Sequence, residues 1–214
     1  MTSILLTGFE PFDGETVNSS WQAVLRAQAL WDGPEDVHIA EIPVDFSTCD
    51  VVLADALDRF RPDLVIAVGQ AGGRSGISVE RVAINVDDAR IPDNAGFQPV
   101  DAAIVPDGPA AYFSTLPIKA CVAALTQAGI PASVSHTAGI FACNHLFYRL
   151  MHTLQAGHPD ARGGFVHIPF APEQVAGRDQ PSMSVDLVTA ALLSLTRTSL
   201  DVTTDIRAAG GALH

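Results

Sequence analysis

Short apolar runs alternate along this chain with stretches of helical periodicity. Ile4 to Thr7 reads as a strand that runs into a turn-rich loop, Gly8-Phe9-Glu10-Pro11-Phe12-Asp13-Gly14. Asn18 or Ser19 can cap a helix carrying Trp21, Val24, Leu25 and Ala29 on one face. Val37 to Val44 reads as a strand, and a helix is predicted from about Phe46 to Phe60, stopped by Pro62. Leu64 to Val68 is an unbroken apolar run closed by Gly69, the mark of a buried strand. After the loop Gln70-Ala71-Gly72-Gly73-Arg74, the segment Ile77 to Val86 alternates apolar and polar residues as one strand does.

The stretch from Asp87 to Pro109 is rich in Asp, Pro and Gly and predicts a long irregular connection, a feature usually tied to function. Pro117 suits the first turn of a helix reaching about Gln127. Ala132 to His136 and Phe165 to Ile168 read as strands. Cys143 to about Gln155 is helical, with Leu146, Leu150, Met151 and Leu154 as its apolar stripe. Ser182 is the expected cap of a last helix from Val185 to about Thr198, and the weakly patterned tail from about residue 201 is expected to be less ordered. Strands alternating with helices predict an α/β fold with helices on both faces of a largely parallel sheet. No repeat or low-complexity linker divides the chain, so residues 1–214 are expected to form one domain.

Composition narrows the function. The chain has 214 residues, 48% of them apolar, enough for one self-sufficient core. Its 24 acidic and 12 basic residues give a formal charge of −12, which repels phosphate backbones and anionic lipids and argues against nucleic acid or membrane as partner. The N-terminus lacks the basic flank and long apolar run of a signal peptide, and no apolar run is long enough to span a bilayer. Cys49, Cys121 and Cys143 are odd in number and widely spaced, which fits no disulfide framework and suits a reducing cytoplasm.

Three residues invite chemistry at the places where α/β folds gather their sites. Cys143 opens a helical pattern, where free N–H groups and the helix dipole stabilise a thiolate and can receive an oxyanion. By position alone it reads more readily as a small buried apolar residue, the commonest fate of a lone cysteine. His167 lies inside a strand closed by Pro169, and would ordinarily be a satisfied core histidine. Glu80 shares a strand face with Ser78 and Val82; turned inward it needs a partner such as an imidazolium, and turned outward it is a solvated neighbour of Arg81. Together the three supply a nucleophile, a base and a group to orient the base.

Cys143, His145, His152 and His136 form a competing metal set whose spacing matches no usual zinc pattern. The Gly69–Gly73 segment lacks a phosphate-loop ending, so no nucleotide is expected. Phe9 and Phe12 flank Pro11 either as packing under the loop or as an apolar ligand wall.

The stretches Thr7–Phe12, Gly69–Arg74 through Glu80–Asn85, Ser135–Asn144 and the His167 strand resemble the pyroglutamyl-peptidase I family of cysteine peptidases, in order and over essentially the whole chain. The resemblance implies a three-layer αβα sandwich around a twisted, largely parallel, mixed sheet. It also implies a homo-oligomer, either dimer or tetramer, with no metal and no organic cofactor. It implies removal of N-terminal pyroglutamyl residues from peptides, with Cys143 as nucleophile, His167 as general base and acid, and Glu80 orienting His167. Phe9, Phe12, Ile91 and Phe141 match positions expected beside the lactam ring. Asn18 and Gln70 match positions that help hold it, Gln70 through its backbone. Arg90 matches a residue near the oxyanion. Ala142 stands where the family usually carries a larger apolar residue, so this position bears on pocket size and substrate range. A binding protein that keeps the pocket without turnover, and a thiol-dependent amidase or thioesterase, are the rival readings.

Overall fold

The computed structural model describes residues 1–210. Eight strands and five helices follow in the order β1 (Ser3–Phe9), α1 (Ser19–Leu30), β2 (Asp36–Ile42), α2 (Cys49–Phe60), β3 (Leu64–Gln70), β4 (Ile77–Glu80), β5 (Val82–Ile84), β6 (Ala111–Phe113), α3 (Ile118–Gln127), β7 (Ala132–Ser135), α4 (Ala142–Gly157), β8 (Arg162–Ile168) and α5 (Val185–Asp201). The main sheet has six strands in the order β2-β1-β3-β8-β4-β7. Its neighbours pair in parallel except β4 with β8, so the sheet is mixed, as expected.

Strand alternation builds two cores. Ile4, Leu6, Ile66, Val68, Val79 and Val166 pack towards α1, α3 and α5, whereas Leu5, Val65, Ala67 and Phe165 pack towards α2 and α4. The result is three layers, helices–sheet–helices. The same alternation turns Gly69, Ser78, Glu80 and His167 to the α4 side of the sheet.

Several elements differ from their predicted form. The run Ile77–Val86 is not one strand: it breaks at Arg81, and β5 leaves the main sheet to pair antiparallel with β6. β6 itself, only three residues long, carries too little pattern to be read from sequence. Leu25 and Ala29 face solvent, and α1 instead buries Ser19, Ser20, Ala23, Val24 and Ala27. Small residues win there because the helix lies close on β1; a Cβ on Gly8 would stand 2.8 Å from the Trp21 backbone. Ser184, not Ser182, caps α5, its side chain accepting from the Leu187 N–H. Ser182 is instead held in a β-bridge with Phe170.

Residues 202–210 lie outside helix and strand, and residues 211–214 of the predicted loose tail lie outside the described residues. Within the tail, Asp205 accepts hydrogen bonds from the Lys119 and Ala120 N–H groups at 3.1 and 2.9 Å, where α3 has no cap of its own. Replacing Asp205 with Ala should therefore lower stability by about 1 kcal/mol while leaving turnover intact. Urea unfolding measures this, and an unchanged midpoint would show that the tail contributes nothing to α3.

Candidate active site

The site is assembled on the α4-facing side of β3, β8 and β4. Gly69 and His167 are direct partners in the parallel β3–β8 pair, so their side-chain directions agree. A Cβ placed on Gly69 would lie 2.9 Å from Cys143 Sγ and 2.7 Å from the Phe165 ring. The sulfur thus rests over a glycine whose strand neighbour is the imidazole. Only glycine leaves room for it.

Glu80 reaches the same histidine from β4. Ser78 faces His167 across the antiparallel β4–β8 pair, which makes Glu80 a diagonal neighbour on the same face. The Glu80 carboxyl is fully buried, and its Oε1 lies 2.8 Å from His167 Nδ1. The same oxygen accepts from Arg74 Nη1 at 2.8 Å. Arg74 also donates to the Thr137 carbonyl at 3.1 Å, so the guanidinium spans from the Glu80 carboxyl to the loop before α4. Arg74, not the adjacent Arg81, therefore compensates the buried carboxylate. A neutral imidazole that donates Nδ1–H to Glu80 keeps its Nε2 lone pair as a proton acceptor.

Cys143 sits in the first turn of α4, whose opening N–H groups at Ala142, Cys143 and Asn144 have no intrahelical acceptor. Asn144 anchors this turn: it accepts from the Ile84 N–H at 3.0 Å and donates to the Ile84 and Val86 carbonyls at 2.9 and 3.0 Å. Sequence reading gave Asn144 no role, and its mark was only its place beside the candidate nucleophile.

The expected lowering of the thiol pKa is not found. Burial pushes Cys143 up to about 12, the Glu80 charge acts in the same direction and Arg74 acts against both. Burial also pushes His167 below its ordinary value, against the hydrogen bond and charge of Glu80, which raise it. Both directions favour the uncharged forms, a thiol at Cys143 and a neutral imidazole at His167. The sulfur lies against Gly69 near the Phe165 ring, which accounts for the burial.

A cavity of about 460 Å³ opens at Cys143. Phe9, Phe12, Asn18, Gln70, Arg90, Ile91, Phe141 and Ala142 all line it. Phe12 and Phe141 pack with ring centroids 5.3 Å apart. Gln70 Oε1 is already taken by the Ser19 N–H and hydroxyl at 3.0 and 2.9 Å, so it is not the atom that would hold a ligand. Asn18 is similarly engaged as the α1 cap: its Oδ1 accepts from Ser20, and its Nδ2 donates to the Glu10 carbonyl at 2.9 Å, leaving one amide hydrogen free. Asp13, Glu15, Asp88 and Arg178 also line the cavity, so it is not free of charge; Glu15 and Arg178 pair at 3.0 Å.

The competing metal set does not come together. His145 spends both ring nitrogens on Asp87 and Asp50, while His152 Nδ1 lies 2.9 Å from the Tyr112 hydroxyl.

The profile of the pyroglutamyl peptidase family matches residues 2–200. The chain belongs to the pyroglutamyl peptidase family. It is 54% identical to a pyrrolidone-carboxylate peptidase of Clavibacter michiganensis over 213 residues, covering 100% of both chains. It is 55% identical to pyrrolidone-carboxylate peptidase 1 of Ralstonia nicotianae, again over 100% of each. The crystal structure of Bacillus amyloliquefaciens pyroglutamyl peptidase I superposes with a TM-score of 0.93 at 50% identity, covering 96% of this chain and 100% of that one. The pyrrolidone carboxyl peptidase of Thermococcus litoralis gives 0.90 at 36%, covering 94% of each. The pyroglutamyl peptidases are cysteine peptidases, which makes the thiol facing the cavity the natural focus of the chemistry.

Two outcomes follow for this pyroglutamyl peptidase fold. Gly69→Ala should cut turnover by about a hundredfold or more, because its methyl claims the space of the sulfur; wild-type kinetics in that variant would show that Sγ does not need that position. In the resting enzyme, iodoacetamide should alkylate Cys143 at a rate climbing about tenfold per pH unit from roughly pH 6 to 9, as thiolate forms from a thiol of raised pKa. A pH-independent plateau in that range would instead reveal a preformed thiolate–imidazolium pair.

Proposed function

We propose that this chain is a cysteine exopeptidase that hydrolyses the amide bond after an N-terminal pyroglutamyl residue, with Cys143 as nucleophile, His167 as general base and acid, and Glu80 orienting the imidazole. The observation that carries this reading is the Glu80–His167 hydrogen bond on the same sheet face as the glycine beneath Cys143 Sγ. Family membership supports the reaction class.

The steps use only the chain's own groups. His167 Nε2 takes the thiol proton as Sγ attacks the pyroglutamyl carbonyl carbon. The oxyanion lies at the first-turn N–H groups of α4, with Arg90 at the cavity wall. The carbon–nitrogen bond breaks, His167 passes its proton to the departing amine, and a thioester remains. Water, deprotonated by the same Nε2, attacks the thioester and returns the thiol. Protonation of His167 removes the base, so activity falls on the acid side, below the ordinary histidine value.

Substrate choice follows from the lactam. Pyroglutamate has no ammonium, so the site needs flat apolar walls, such as Phe12 and Phe141, and amide partners, not a carboxylate for an amine. Burying two ring methylenes contributes about 1.6 kcal/mol. Leaving the lactam edge unbonded would cost about 1–3 kcal/mol, which is the basis for rejecting proline. Ala142 widens the wall beside the nucleophile.

The surroundings support small peptides as partners. The chain is acidic, and among the described residues no helix is long and apolar enough to cross a membrane. Its cysteines are all free, which suits the cytoplasm. Exposed Phe97, Val100 and Phe113 suit a contact between copies, in a dimer or tetramer.

The test is hydrolysis of pyroglutamyl-aminomethylcoumarin against the prolyl analogue. Wild type should release the fluorophore from the first at least a hundredfold faster, and Cys143→Ser should abolish release. Equal rates on both amides would overturn the substrate reading, and an active Cys143→Ser would overturn the nucleophile.

A further inference from the structure

Two residues beyond Cys143 on α4 lies a second buried histidine with carboxylates on both sides. His145 is 5% exposed. Its Nδ1 lies 2.7 Å from Asp87 Oδ2 and its Nε2 3.2 Å from Asp50 Oδ1 on α2. A ring that meets an acceptor at both nitrogens is an imidazolium. Burial alone would push its pKa down; the two carboxylates overcome this and hold it at about 11, so it stays charged throughout the neutral range. The other groups facing the cluster are Arg149, whose Nε is 2.8 Å from Asp50 Oδ2, and the buried Cys49 thiol. The Phe46 ring packs edge-on against the imidazole at 5.2 Å, and also against Phe141 of the cavity wall.

Asp87 opens the long irregular segment that supplies one side of the cavity. Immediately after it come Asp88, Arg90 and Ile91, all cavity-lining. The segment is pinned again by Asp93 Oδ2, which accepts from the Phe46 N–H at 3.0 Å. Asp87 itself is 5% exposed, and its Oδ1 has no partner among the described residues, so His145 is the only charge compensation its carboxylate has there. The Asp87–His145 contact therefore joins α4 to the Asp88–Ile91 wall of the cavity, and Asp50 ties the same imidazole to α2.

We propose that His145, clamped between Asp87 and Asp50, is a positioning residue that holds the Asp88–Ile91 wall in register with the first turn of α4 and so sets substrate affinity at Cys143. It does not line the cavity. The proposal rests on the pyroglutamyl reading for its kinetic readout, but its structural readout does not.

The experiment uses Asp87→Ala and Asp87→Asn in the full chain. Asp87→Ala should raise KM for pyroglutamyl-aminomethylcoumarin about tenfold or more, with kcat within about threefold of wild type. Asp87→Asn, which keeps an acceptor for Nδ1–H without the charge, should recover most of that loss. Hydrogen exchange of the Asp88 and Ala89 amides, bonded to the Ile140 and Pro99 carbonyls, should quicken about tenfold in Asp87→Ala, with β3 and β8 still protected. If Asp87→Ala does not fold, Asp87→Asn carries the same comparison with smaller shifts in the same direction. A wild-type KM, or a lowered melting temperature without faster exchange in this segment, would overturn the clamp. If wild-type protein releases no fluorophore, the substrate reading fails by itself, and exchange alone decides the clamp.

Discussion

A carboxyl group with no solvent exposure lies at the end of β4, and the site is arranged around its needs. Glu80 cannot stay buried without compensation. It receives Arg74 on one side and His167 on the other, both at a single oxygen 2.8 Å away. That requirement draws three remote stretches together: the loop after β3, the end of β4 and the end of β8. The mixed sheet makes the meeting possible. Because β4 runs antiparallel to β8, Glu80 falls diagonally beside His167 on the α4 face, deep in the layer and not at its rim. With Nδ1 engaged by Glu80, Nε2 is left for the base role proposed for His167, and Gly69 leaves the gap that Cys143 Sγ occupies.

The electrostatics of that arrangement favour a neutral resting pair. Burial raises the thiol and lowers the imidazole, and both shifts favour the uncharged forms. In the proposed mechanism proton transfer accompanies attack, and the helix N-terminus contributes where charge appears, at the oxyanion. Such a division suits a substrate that brings no charge of its own. The neighbouring His145 has the opposite character. It is charged because it is flanked by Asp50 and Asp87, and it serves as a rivet between helix and cavity wall.

Much of this was legible in the residue pattern. The apolar runs at Leu64–Val68 and Phe165–Ile168 marked central strands, and alternation placed Ser78 and Glu80 on one face, as the structure does. The motifs around Glu80 and Cys143 carried the family. What escaped depends on long-range contacts. The break at Arg81 follows from β5 finding β6, a partner almost 30 positions away. Arg74 could not be told from Arg81 as the partner of Glu80, since both lie within a few residues of it. The thiol pKa went the other way because local position shows a helix terminus but not the aromatic wall behind it. Leu25 misled because a surface helix lying tightly on a strand selects small residues for its inner face.

The account depends most on Glu80 holding His167 as a neutral imidazole with its hydrogen on Nδ1. Side-chain proton–nitrogen NMR of the histidines at neutral pH reads this directly. The result predicted is one buried imidazole, assigned through loss of its signal in His167→Asn, with a protonated Nδ1 and a bare Nε2. A doubly protonated ring at His167, or hydrogen on Nε2 alone, would contradict it.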